Sequence, residues 1–188
     1  MTTAVLCLVA LSVLVGEQNE GYRSKFLRSY ETKFNVCLQV AERAVTDKLD
    51  PVLAVAVARV ESGFKANLVS SKGALGPLQV MEKHACTKWR KGCVPQWPSG
   101  AQAPTVDDLI EVGVGVLKAL KRNKGSVSLA LCHYNQGTIC GRGGRLYAKR
   151  VQRYMEVYRH QVSVAEKPIR KRRLLRRPNS GGGRDIGR

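Results

Sequence analysis

At 188 residues the chain can bury one sizeable core, and nothing in its length calls for a second large domain. A formal net charge of +18 and a pI near 10.1 steer it toward an acidic partner or surface whatever its fold. Its apolar N-terminal run, Ala4 to Val15, is shorter than the roughly 20 residues a spanning helix needs, which argues against that run as a membrane span.

The same run has the character of the apolar core of an export signal, so residues 1–16 stand apart as a signal or anchor segment. No Lys or Arg precedes it, no small-x-small cleavage site is clear near Gly16, and Cys7 lacks the small residues of a lipoprotein box. The competing expectation is a phage-particle protein with an apolar N-terminus. Ser24 is placed to cap a helix reaching about Thr46, where Phe26, Tyr30, Phe34, Cys37, Ala41 and Val45 recur at helical spacing. Asp50 followed by Pro51 starts the next helix, with a cap and then a proline at the first helical position. Val52 to Val60 is apolar on nearly every side and should be the buried central helix, leaving Glu61 at its C-terminal end.

From Lys83 to Pro104, Gly92, Pro95, Pro98 and Gly100 bar any long helix, and Trp89 and Trp97 lie in this loop. Thr105 opens another helix with Asp107 and Asp108 near its positive end, and Ser126 caps a shorter one reaching Tyr134. A glycine-rich turn, Gly137 to Gly144, precedes a last helix from about Leu146 to Gln161. No run shows a strand's alternation. The expected fold is therefore mainly α, with a domain over residues 22–161. Residues 162–188 read as a flexible basic tail, because nine Lys or Arg from Glu166 onward face only two acids and little apolar surface is available to order them. The body stays basic without the tail.

The six cysteines (Cys7, Cys37, Cys86, Cys93, Cys132 and Cys140) are many for a reduced cytosolic chain. Export would make disulfides plausible, but the spacing does not define their pairing. A zinc set drawn from His84, Cys86, Cys93, Cys132 and His133 lacks any CxxC pair, so no metal is expected, and no motif calls for a cofactor.

The most informative segment is ESGFKANLVSSKGALGPLQVM, from Glu61 to Met81. It leaves one acid at the edge of a core and follows it with small, polar, turn-forming residues. Glu61, Ser62, Ser70, Gly73, Ala74, Gly76 and Gln79 occur in the order and spacing of the signature of the soluble lytic transglycosylases, and the segment resembles that family. Ala130 to Gly137 resembles a second family element, Ala-Tyr-Asn-Ala-Gly, and Tyr147 with Val151 a third. Pro77 and Leu78 stand where Leu-Met is usual, and His133 and Gln136 replace alanines. Pro77 also deletes one backbone donor. The likeness covers roughly Val52 to Tyr158.

The resemblance implies a lysozyme-like fold and cleavage of the bond between N-acetylmuramic acid and N-acetylglucosamine in peptidoglycan. Most glycosidases need two carboxylates. This family needs one, because the nucleophile is the substrate's own C6 hydroxyl and the product is a 1,6-anhydro sugar. Glu61 would serve as general acid and then general base, which calls for a partly desolvated carboxyl. By the same resemblance Ser70 orients the glutamate or the sugar, and Gln79 bonds the substrate's N-acetyl or peptide region. Gly73 lets backbone approach the sugar, Tyr134 and Asn135 line the cleft opposite, and Tyr147 bonds Glu61.

Two rival functions stand beside this one. A goose-type lysozyme would hydrolyse the same bond with water and would want a second carboxylate, for which Asp107 or Asp108 is the nearby stock. A basic nucleic-acid-binding virion protein would use the charge alone, but no reader motif accompanies it. The expected partners are peptidoglycan strands and, through the tail, a polyanion such as teichoic acid, lipopolysaccharide or DNA, with virion or secretion-machine proteins beside them. The expected location is a virion or the periplasm and cell wall.

Overall fold

Asp50 accepts a hydrogen bond from the Val52 N–H at 2.9 Å, and Pro51 fills the first helical position, so the central helix starts where cap and proline direct it. In the computed structural model, which describes residues 1–17, 28–81 and 104–175 with the side chains of the last helix through Lys167, the described residues form six helices and one small hairpin. They are α1 (Thr3–Gly16), α2 (Tyr30–Thr46), α3 (Pro51–Glu61), β1 (Ala74–Leu75), β2 (Val80–Met81), α4 (Val106–Lys124), α5 (Val127–Gln136) and α6 (Arg142–Leu175).

Helix α3 is buried from Val52 through Arg59 because α1, α2 and α6 all pack on it. Each fully buried valine or leucine in it contributes about 1.5–3 kcal/mol. Helix α4 packs on α2 and α5, and α5 lies along α6. Thr105 and Asp108 form the capping box of α4, and the Ser126 hydroxyl caps α5, as the sequence predicts. Gly144 lets α6 press on α5: a Cβ there would sit 2.6 Å from the Cys132 sulfur. Cys132 is disulfide-bonded to Cys140 across the same turn, and is therefore not a thiolate for a metal.

Three features were not read from the sequence. The apolar N-terminal run is a helix packed against the domain core, with Leu6, Cys7, Ala10 and Leu11 fully buried. It is tied to α2 by a Cys7–Cys37 disulfide and to α6 by an ion pair at 3.2 Å between the chain's amino group and Glu166. No helix among the described residues is long and apolar enough to cross a membrane. Helix α6 starts earlier and runs further than the span from Leu146 to Gln161, entering the region read as tail, because Val162 still has core to cover. Finally, β1 and β2 pair antiparallel, Ala74 with Met81 and Leu75 with Val80. At two residues each, they are too short for alternation to reveal. Ser24, Phe26, and the 82–103 segment with Trp89 and Trp97 lie outside the described residues.

Candidate active site

Glu61 is the last residue of α3, and its position is set by the turn that leaves the helix. The Ser62 hydroxyl is buried and lies within bonding distance of two carbonyls, Ala58 at 3.2 Å and Pro77 at 2.8 Å. Only one proton is available for the two, so Ser62 ties the end of α3 to the hairpin turn chiefly through the shorter bond. Gly63 and Phe64 then turn the chain with φ of 60° and 64°. A buried phenylalanine in this left-handed region costs on the order of 1–3 kcal/mol, a strain that tends to persist at functional sites.

The hairpin is the floor of the site. Gly76 to Gln79 is a turn closed by the Gln79 N–H on the Gly76 carbonyl at 3.2 Å. Pro77 takes the position after Gly76, which a turn of this length favours, so the departure from the family pattern suits the backbone. Gly76 has φ of 71°, and a Cβ there would meet Leu109 at 2.7 Å, so α4 can press directly on the turn. Gly113 does the same for Leu78, whose side chain would lie 2.7 Å from an added Cβ.

Two tyrosines close over this floor. Tyr147, on α6, donates its O–H to Glu61 Oε1 at 2.6 Å. Tyr134, on α5, donates to the Leu78 carbonyl at 2.7 Å. Burial raises both phenols well above their ordinary pKa, and the charge of Glu61 raises them further, so both remain donors at neutral pH. Glu61 itself is pushed upward by burial, while the Tyr147 hydrogen bond and then the nearby Arg150 guanidinium pull it partly back. The outcome is a carboxyl that keeps its proton to higher pH than an exposed glutamate would.

The remaining predicted residues divide into those that line a groove and those that build the loop beside it; Glu61 and Tyr147 are not among the residues lining that groove. Gln79, Tyr134 and Asn135 line a groove of about 530 Å³ together with Val80, Met81 and His133. Gln79 stands at φ of 48°, and its side-chain amide donates to the Leu68 and Gly76 carbonyls at 3.1 and 3.0 Å, so its carbonyl oxygen is the group left for the groove. Asn135 is exposed in the groove wall, and His133 Nδ1 meets the Gly137 carbonyl at 2.6 Å as part of the end of α5. Ser70 serves the turn: its hydroxyl accepts from the Ala74 and Lys72 N–H groups at 3.0 and 3.3 Å. Gly73 has φ of 76° and open space where a Cβ would point. Sequence reading missed Ser62 as a structural pin and Arg150 as a charge on Glu61. Arg150 lies three residues after Tyr147, a helical spacing that could have flagged it.

These features define a class first: a mainly helical, lysozyme-like domain with one partly buried glutamate at the end of its central helix, held by a tyrosine. Residues 39–154 match the model of the transglycosylase SLT domain, and the chain belongs to that family. Among solved structures it is similar to an inactive glutamate-to-glutamine mutant of the lytic transglycosylase Slt from Pseudomonas aeruginosa, with a TM-score of 0.53 and 21% identity. The match covers 66% of this chain and 24% of that one, so the chain spans about a quarter of that enzyme's length, and at this identity the likeness shows the shared fold. No curated protein matches the chain.

Proposed function

We propose that this protein is a peptidoglycan lytic transglycosylase that cuts the β-1,4 bond between N-acetylmuramic acid and N-acetylglucosamine, with Glu61 as its single general acid and base. The observation that carries the reading is the partly buried Glu61 carboxyl, raised in pKa by desolvation and held at 2.6 Å by the Tyr147 hydroxyl. Protonated, Glu61 gives its proton to the bridging oxygen as the glycosidic bond breaks. As carboxylate, it then takes the proton of the substrate's C6 hydroxyl as that oxygen closes on the anomeric carbon. The Tyr147 hydrogen bond supports the second state, and burial supports the first.

A one-carboxylate mechanism is favoured over hydrolysis by the surroundings of Glu61. Among the described residues, the groups that shift Glu61 besides burial are Tyr147 and Arg150, and no carboxylate is one of them. Asp108, one candidate for a second acid, is committed to the Thr105 hydroxyl and N–H at 2.6 and 2.9 Å in the cap of α4. That a glutamate-to-glutamine mutant of the similar Pseudomonas enzyme is inactive agrees with an essential acid. The Cys7–Cys37 and Cys132–Cys140 disulfides support work outside the cytosol, in a virion or beyond the inner membrane.

Mass spectrometry of digested peptidoglycan tests the proposal. Anhydro ends, about one water lighter than reducing ends, are expected, and they should vanish with Glu61→Gln. Reducing ends alone would establish hydrolysis instead, and undiminished lysis by Glu61→Gln would remove Glu61 from the reaction.

A further inference from the structure

Arg59 is the one charged residue that is buried among the described residues, at 9% exposed, and it stands in a run otherwise made of valine, leucine and alanine. A buried cation is costly unless it is paired, and an apolar side chain of like volume often serves a fold as well or better. Arg59 is paired through a closed set of three contacts. Its guanidinium donates to Glu17 Oε2 and lies over the Tyr154 ring, 5.1 Å from the centroid, while the Tyr154 O–H donates to the same Glu17 oxygen at 3.0 Å. Arg59 Nε and the nearby Tyr158 hydroxyl are buried with no hydrogen-bond partner among the described residues, so the arginine is kept at a cost in stability.

The three partners come from three elements. Arg59 belongs to α3, Tyr154 to α6, and Glu17 caps the C-terminal end of α1, so one carboxylate oxygen bridges the seam between α3 and α6. The same seam carries the contact to the candidate acid. Glu61 follows Arg59 by two residues on α3, and Tyr147 precedes Tyr154 by seven on α6, which puts both tyrosines on one helical face, about 10 Å apart along the axis. The Tyr147 bond to Glu61 by itself would leave α6 free to roll on α3. A second contact two turns away fixes the rotation.

We propose that Arg59 is a positioning residue for the reaction: with Glu17 and Tyr154 it staples α3 to α6 and so keeps the Tyr147 hydroxyl on Glu61. The inference rests on the proposed function of Glu61 and deepens it, since it gives the end of α1 a part in holding the acid.

The test follows kcat of the full chain on peptidoglycan strands as a function of pH. Tyr147 and Arg150 on α6 and Tyr134 on α5 are the groups that face Glu61, and Arg59→Met leaves all three in place. Methionine fills the seam without a charge, and the part-exposed Glu17 can return to water, so this variant should fold. It should lose about tenfold in kcat and move the high-pH fall of activity upward, as Tyr147→Phe does, and Arg59→Lys should restore part of both. In the Tyr147→Phe background Arg59→Met should add almost nothing, because the bond it protects is already gone. Equal losses in both backgrounds overturn the inference, as does a loss that tracks the thermal midpoint while the high-pH fall stays in place. If Arg59→Met does not fold, Glu17→Gln and Tyr154→Phe decide: each should move the fall upward by less, and an unmoved fall in both overturns the inference. Reducing ends from the parent chain would refute the proposed chemistry and leave this readout intact, whereas a parent that cuts no strand overturns both.

Discussion

The two ends of α3 obey opposite rules. At its start, Asp50 caps the helix, Pro51 fits the first turn, and Arg159 pairs with Asp50 at 2.6 Å, so every local preference is met. At its end, a carboxylate sits where the helix dipole disfavours it, burial penalises its charge, and the chain leaves through a left-handed phenylalanine. The first end contributes stability, whereas the second gives some up to hold an acid in a poised state. Local rules broken together in one place mark a site more clearly than any single residue does.

The contrast is sharpest at Glu61. Glu61→Gln should lower activity by about 10²–10⁴-fold. Because the folded-state pKa of Glu61 is raised, its protonated form stabilises the fold at low pH, and that stability is lost as pH rises through the folded value. The amide avoids this loss, so Glu61→Gln should raise the thermal midpoint at pH 8 relative to the parent and gain less at pH 4. A drop at pH 8 would mean that the carboxylate is not strained.

Tyr147→Phe comes next, with a loss of roughly tenfold from one charge-assisted hydrogen bond. It should also move the pH profile. In the proposed reaction the first step needs protonated Glu61, so activity should fall as pH rises through its pKa, and removing the Tyr147 bond should carry that fall to higher pH. Arg150→Ala should shift it the same way by less, since its charge has the weaker pull. Ser62→Ala should cost about 1–2 kcal/mol in denaturant unfolding, with weaker activity as the turn loosens from α3. The smallest effect belongs to the helix start: Asp50→Ala should cost about 1 kcal/mol and leave activity per folded molecule unchanged. Were Asp50→Ala to impair turnover as much as Ser62→Ala, the division between the two ends would not hold.

Much of the local structure around the candidate site was legible because its residues act locally. The Asp50–Pro51 start, the helix ending at Glu61 and the small turn residues after it each reflect the stereochemistry of a few neighbouring positions. Gln79 and Ser70 show the limit of that reading. Both lie in the segment that the signature picks out, yet the Gln79 amide donors are spent on the Leu68 and Gly76 carbonyls and the Ser70 hydroxyl accepts two backbone N–H groups. A motif names a residue, but which of its hydrogen-bonding groups remain for a ligand depends on the fold of the loop around it.

Sequence alone determined the helical class, the capped starts of α3, α4 and α5, and the candidate acid, since periodicity, caps and turn residues are properties of adjacent positions. Tertiary structure alone decided that Cys7 pairs with Cys37, that Arg150 acts on Glu61, and that the apolar N-terminal run packs into the core. Composition could name that run as apolar but not its contacts, because hydrophobicity drives burial without naming the partner, and only the shape of the surface it meets sets where it packs.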